Sequence, residues 1–348
     1  MKAWGSNTLG QLGDGTTSDS TTPVAVTMLA ASVKSTAGGG AHSLARLIND
    51  TVQSWGSNNS GQLGDGTTND SATPVAVTGL SDVDAVAGGG SHSTALLRDG
   101  TVRAWGSNSS GQLGDGTTND SPTPVPVSSL SSVIAIACGG EHSLALLDDG
   151  GVSAWGSNLF GQLGDGTTND SATPVSVTGV TNAIGIAAGH DHSLAVLADG
   201  TVQAWGAGGS GQLGDGSGND STTPVIPVIT DVIAVAAGSG GNFSLAVQSD
   251  GTVQAWGDNS SGQLGDGTTT DSLSTVAVNG LASAVLAVAA GSSHSVALLS
   301  DNTVQAWGAN ASGQLGDGST TDNTTPVSVS GLTAVIGLGA GDAHSLSV

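Results

Sequence analysis

The chain has 348 residues, 57 of them glycine, and its 28 acidic against 5 basic side chains give a formal net charge of −23. So much glycine makes an ordinary α/β enzyme a poor fit, and so few cations argue against partners built on phosphate, whether nucleic acid or an anionic membrane surface. No apolar run approaches the roughly 18 residues of a membrane span, so no membrane insertion is expected.

The chain begins Met1-Lys2-Ala3-Trp4 without an apolar signal region. An extracellular or cell-surface location is expected, or a cytoplasmic one if Met1 is the native start. The seven tryptophans, Trp4, Trp55, Trp105, Trp155, Trp205, Trp256 and Trp307, recur every 50 or 51 residues. One repeat therefore covers the whole chain, and a period near 50 is that of propeller blades.

Each period divides into four predicted strands. Runs such as "VIAIACG" are small and continuously apolar, as expected of a strand buried on both faces near a crowded centre. "HSLALL" alternates and leads into Asp-Gly in most copies, a dipeptide that favours a tight hairpin because it tolerates positive φ. "TVQAWG" is the return strand. "TPVAV" is the fourth, and its proline suits an outer edge because proline has no N–H to donate to a ladder. The chain ends in "HSLSV" and begins in "MKAWG", the two sides of that hairpin, so the termini are expected to pair and close a ring. The reading is all-β: residues 1–348 form a single domain, a seven-bladed β-propeller of four-stranded antiparallel blades, with each tryptophan packed between blades.

Between the third and fourth strands the hexapeptide "GQLGDG" occurs seven times unchanged. A phosphate cradle would need a lysine and a helix start after the glycines; here "TT.DS" and a proline follow. The loop is expected to be a chain crossing, with glycines for reach, leucine for anchorage and aspartate for turn bonds.

The combination "AWGSN..GQLGDGTT.DS.TPV.V" with "V.AVAAG..HSLALL.DGTV" resembles the repeats of the regulator of chromosome condensation family, in its bacterial branch, over all seven copies. The resemblance implies a seven-bladed propeller closed through its termini. Members of the family include a nucleotide exchange factor for a small nuclear GTPase, ubiquitin ligases, an ultraviolet sensor and a secreted bacterial inhibitor of β-lactamases. The wedge and basic tail of the exchange factor, the extra tryptophans of the sensor and the aromatic "G..HS" loops of the inhibitor have no counterpart here.

Histidines 42, 92, 142, 192, 294 and 344 precede serine in six copies, and Phe243 replaces the histidine in the fifth. One residue per blade spreads such groups around a ring, which suits neither metal ligation nor an acid–base pair, so structural histidines bonded to backbone are expected and no catalytic residue is assigned. The fourteen aspartates of the "GDGTTND" loops leave calcium as a candidate ligand, although their spacing does not match a helix-loop-helix site. Sequons such as Asn58-Asn59-Ser60 and Asn108-Ser109-Ser110 suggest exposed loops. Cys138, the sole cysteine, reads as buried filler.

Departures from the repeat are the places to seek a partner site. They are Leu159 and Phe160 beside the fourth "GQLGDG", Glu141, His190 and Asp191 in "G..HS" loops, and Asn242 and Phe243 at a one-residue insertion. The expected function is a monomeric, non-catalytic scaffold that binds a protein or glycan through loops on one face. The alternatives are a secreted enzyme inhibitor or a guanine nucleotide exchange factor.

Overall fold

The computed structural model describes residues 1–348, which form 28 strands and no helix. Seven four-stranded antiparallel sheets make seven blades. In one of them the order from axis to rim is Val133–Cys138, His142–Leu147, Val152–Gly156 and Ser171–Ser176. Counting from Val33, six blades are continuous in the chain. The seventh uses both termini: Lys2–Gly5 pairs with His344–Ser347, Lys2 opposite Ser347 and Gly5 opposite His344. Leu338–Ala340 and Ser20–Ala25 complete that sheet. The second strand of every blade packs on the innermost strand of the next, and the seventh packs on the first, so the ring is closed.

The core lies between blades. Trp155 of the third blade is fully buried among Leu96, Val102, Leu113 and Val127 of the second, and its Nε1 donates to the Gln112 carbonyl at 2.9 Å. Burying such a ring, roughly 200 Å² at about 25 cal/mol/Å², stabilises the interface by on the order of 5 kcal/mol. The same arrangement repeats at all seven tryptophans. Prolines 124 and 174 fall on outermost strands, where a missing N–H breaks no ladder.

Two local expectations need correction. The innermost strands are not buried on both faces: in Val133–Cys138 the middle residues are half-buried and Ile134 is exposed. Their inner edge faces the axis, and a β-bulge between Val133 and Ala135 turns Ile134 outward. In the Asp-Gly hairpins only the glycine takes positive φ, as at Gly200 (φ +81°), while the Asp199 carboxylate accepts the Thr201 N–H and hydroxyl. Where the glycine is missing, Asp50 (φ 60°) and Asn302 (φ 63°) adopt that conformation themselves.

Candidate functional site

Two kinds of loop form one face of the ring: the "GQLGDG" crossings and the short Gly-x-x-His turns that join first and second strands. The crossing is a clasp on the next blade. A Cβ on Gly61 would lie 2.5 Å from Pro122 Cα, and one on Gly64 would lie 2.7 Å from Trp105 Nε1, so both positions require glycine. Leu63 is fully buried, and Gln62 offers its carbonyl to Trp105 Nε1 (2.8 Å) and to the Ser93 hydroxyl (2.9 Å), both in the next blade. The Asp65 carboxylate accepts the Thr67 N–H as an Asx turn. Asn58 and Asn108 are fully buried, not exposed. Asn58 Nδ2 donates to the Thr67 and Asn69 carbonyls while its Oδ1 accepts the Leu63 N–H, which organises the whole loop from within and removes the sequon from solvent.

The repeated histidines do not bond backbone. Each Nε2 meets the serine hydroxyl of the next blade, His42 with Ser93 at 2.8 Å and His142 with Ser193 at 2.9 Å. Because that hydroxyl already donates to a glutamine carbonyl, it accepts from Nε2–H, and Nδ1 is left buried without a partner. Burial holds these imidazoles neutral: His142 falls to about 4 and His192 to about 3. They are structural cross-links. Cys138 is buried against Thr94 Oγ1, and burial pushes its thiol up to about 12.

At the axis, the Gly-x-x-His turns bond to one another. Gly40 N donates to Gly89 O, Gly140 N to His190 O, His190 N to Gly241 O, and Asp342 N to Gly40 O. This backbone collar frames a polar cavity of about 210 Å³ with no apolar side chain in its wall, lined by Ser91, Glu141, His190, Ser239 and Asp342 among others. His190 Nδ1 lies 2.6 Å from Asp191 Oδ2. That hydrogen bond raises the imidazole above its ordinary value despite partial burial, and the nearby Asp342 and Glu141 charges add to the rise. Burial also raises the Asp342 carboxyl, whose Oδ1 is buried with no hydrogen-bond partner. The cup is thus rigid, polar and anionic, and it carries one carboxylate oxygen short of a donor.

Of the expected departures, Glu141 and His190 line this cavity. Glu141 is exposed and accepts the Ser110 hydroxyl at 2.9 Å; Asp191 Oδ1 accepts from Gln162 Nε2 at 3.3 Å. Gln162 Oε1 in turn accepts the Phe160 N–H; Phe160 is half-buried and Leu159 exposed. Asn242 is half-buried, with its carbonyl taken by Asp258 N–H. Phe243 does not belong to the surface. It is fully buried with Leu245, Val253 and Leu264, occupying the slot that histidine fills elsewhere. Asp342, in the seventh blade, is the member that the sequence did not single out; the one signal was an acidic residue in a turn otherwise made of small side chains. No group of three His, Cys, Asp or Glu side chains is placed to hold a metal ion.

The model of the RCC1-like domain matches residues 1–347. The chain is 32% identical over 127 residues to the human E3 ubiquitin-protein ligase HERC2, a match covering 34% of this chain and 3% of that protein. It is 38% identical over 92 residues to the Danio rerio Protein RCC2 homolog, covering 26% of this chain and 19% of that one. The matched part thus spans less than a fifth of either curated relative. Among solved structures, Prp20p of Saccharomyces cerevisiae, described with its binding properties to Gsp1p and histones, is similar with a TM-score of 0.88 at 26% identity over 99% of this chain and 90% of that one. Human WBSCR16 has the same score and identity, over 99% and 97%.

Proposed function

Because the chain belongs to the RCC1-like domain family, we propose that it is a non-catalytic interaction propeller that takes a protein partner on its Gly-x-x-His face. The observation that carries this reading is that Glu141, His190 and Asp342 from three blades line one polar cup, with Asp191 bonded to His190 and a buried Asp342 oxygen awaiting a donor. Such a cup suits a cationic side chain of the partner, a guanidinium or ammonium group, because an unsatisfied buried acceptor gains most from a charged donor. Leu159 and Phe160, in the crossing loop whose Gln162 bonds Asp191, supply apolar contact, as interface anchors do. Prp20p, similar over nearly the whole chain, is itself described as binding proteins.

A second reading, an inhibitor or regulator of an enzyme, is favoured by Leu159, which leaves 69% of its surface exposed. Both readings meet one test. Pull-down from the native extract with the wild-type chain should retain a partner that Phe160→Ala/Asp191→Ala and Glu141→Gln/Asp342→Asn each release. Equal retention by all three proteins would place the interaction elsewhere.

A further inference from the structure

The opposite end of the ring carries a feature that the Gly-x-x-His face does not explain. The residue that the β-bulge turns outward at the start of the innermost strand is Ile134, Ile184, Ile233 and Leu286 in the third to sixth blades; in the seventh, Ile336 lies just before the strand Leu338–Ala340, and all five are more than half exposed. At the same position the first two blades have Lys34 and Asp84. One such residue per blade forms an apolar arc around the axis, with a charged gap at the first and second blades. Ile134 and its equivalents stand out because a bulge re-aims them to solvent, where an unbulged strand would have buried every second side chain.

The arc is bordered by fixed negative charge. The residue before each aliphatic donates its N–H to the hairpin turn of the preceding blade: Val133 to Gly100, Ala183 to Gly150, Val232 to Gly200, Val285 to Gly251 and Val335 to Asn302. Each of those turns carries an exposed aspartate at the position just before the bonded residue, for example Asp199 and Asp250. No lysine or arginine follows Arg103, so the third to sixth blades carry no lysine or arginine to offset them, and the seventh carries Lys2 on its N-terminal strand. The other lysines and arginines lie in the first two blades, where Arg46 bonds Asp50 and Asp84 and Arg98 bonds Asp50.

We propose that this arc is a second docking surface, whose occupant is a basic amphipathic segment of a protein partner: its aliphatic side chains cover Ile184, Ile233 and Leu286, and its lysines or arginines meet the hairpin aspartates. Charge complementarity selects the occupant. A second copy of this chain would bring one row of carboxylates against an identical row, and an anionic lipid surface would meet the same repulsion. The charged gap at Lys34 and Asp84 fixes how the segment lies across the ring.

Two fluorescein-labelled peptides of equal length and charge test this, one alternating lysine with leucine, the other lysine with serine. Anisotropy titration of the full chain should show the lysine–leucine peptide binding at least about tenfold more tightly, which converts to about 1.4 kcal/mol. Ile184→Ser/Ile233→Ser/Leu286→Ser should abolish that preference while leaving the near-ultraviolet tryptophan signal intact, and the single Ile233→Lys should weaken it with less risk to folding. Glu141→Gln/Asp342→Asn, on the other face, should leave the preference unchanged, which separates this surface from the cup. Equal affinity for both peptides, or a preference that survives the triple variant, would overturn the proposal. So would a concentration-dependent dimer that the triple variant abolishes, or co-sedimentation with neutral phosphatidylcholine vesicles, because each names a different occupant.

Discussion

His344 Nε2 donates to Ser43 Oγ at 2.9 Å, joining residues 301 positions apart in sequence across the junction where the ring closes. Five further histidine–serine pairs repeat it around the axis. All six imidazoles are held neutral by burial, with values of about 3 or 4, and in His344 the nearby His294 and His42 depress it further. An unfolded histidine takes up its proton near 6.5, so between about pH 6.5 and 4 the unfolded chain binds more protons than the folded one and stability falls as pH falls. Each fully coupled histidine contributes about 1.4 kcal/mol per pH unit, and six together about 8. His190, exposed and shifted upward, acts weakly in the other direction. The expected outcome is cooperative acid unfolding near about pH 5, above the range where carboxylates protonate. Urea midpoints measured from pH 7 down to 5 check it; a midpoint that does not move would mean the imidazoles are not buried neutral.

The fifth blade lacks this link because Phe243 stands in the histidine slot, which leaves the Ser295 hydroxyl with only its bond to the Gln263 carbonyl. Phe243→His should supply the seventh donor to Ser295. Near neutral pH the new hydrogen bond, worth about 1 kcal/mol, offsets part of the lost apolar burial, so the net change should stay within about 2 kcal/mol. The variant should also steepen the acid transition by one proton. Proton uptake on unfolding near pH 5, from the dependence of stability on pH, is the measurement, and an unchanged slope would show that the imidazole has turned away from Ser295.

Spacing alone made the blades legible, because a 50-residue period with a tryptophan at one phase admits few closed arrangements, and the terminal segments matched the two sides of one hairpin. That Glu141, His190 and Asp191 depart from the repeat in one class of loop was legible as well. What stayed hidden depends on contacts between copies. "His-Ser" reads as adjacent residues, yet each histidine bonds the serine one blade on, and period cannot tell which copy supplies the partner. Phe243 looked like a surface departure because it breaks the repeat, whereas it fills the same buried slot with apolar atoms. Ile134 looked buried because a run of apolar residues gives no sign of the bulge that turns it out.

Trp155 is fully buried at the interface of the second and third blades, and Gly114, at φ +67°, lies directly against its indole. Trp155→Ala would remove that packing and one of the two donors to the Gln112 carbonyl, at a cost of about 3 to 5 kcal/mol. Denaturant titration is sufficient. A loss under about 1 kcal/mol would mean that the ring contributes little to the joint between blades.

The hairpin turns offer a contrast of sign at one backbone conformation. Gly200 sits at φ +81°, where a Cβ would lie 3.1 Å from Asp231 Cα of the next blade, so Gly200→Ala should cost about 1 to 2 kcal/mol. Asn302 already tolerates φ 63° with an exposed side chain, and Asn302→Gly should relieve that strain and stabilise the chain by about 0.5 kcal/mol. Asp50, at φ 60°, should respond in the opposite way to the same change. Its carboxylate pairs with Arg46 at 2.9 Å and with Arg98, and the Arg46 side chain is 5% exposed, so Asp50→Gly leaves a buried guanidinium short of an acceptor. The backbone gain is then outweighed by a loss of at least about 2 kcal/mol. Urea unfolding of the three variants reads all of these signs at once, and stabilisation by Asp50→Gly would show that turn strain, not the ion pairs, governs the first blade.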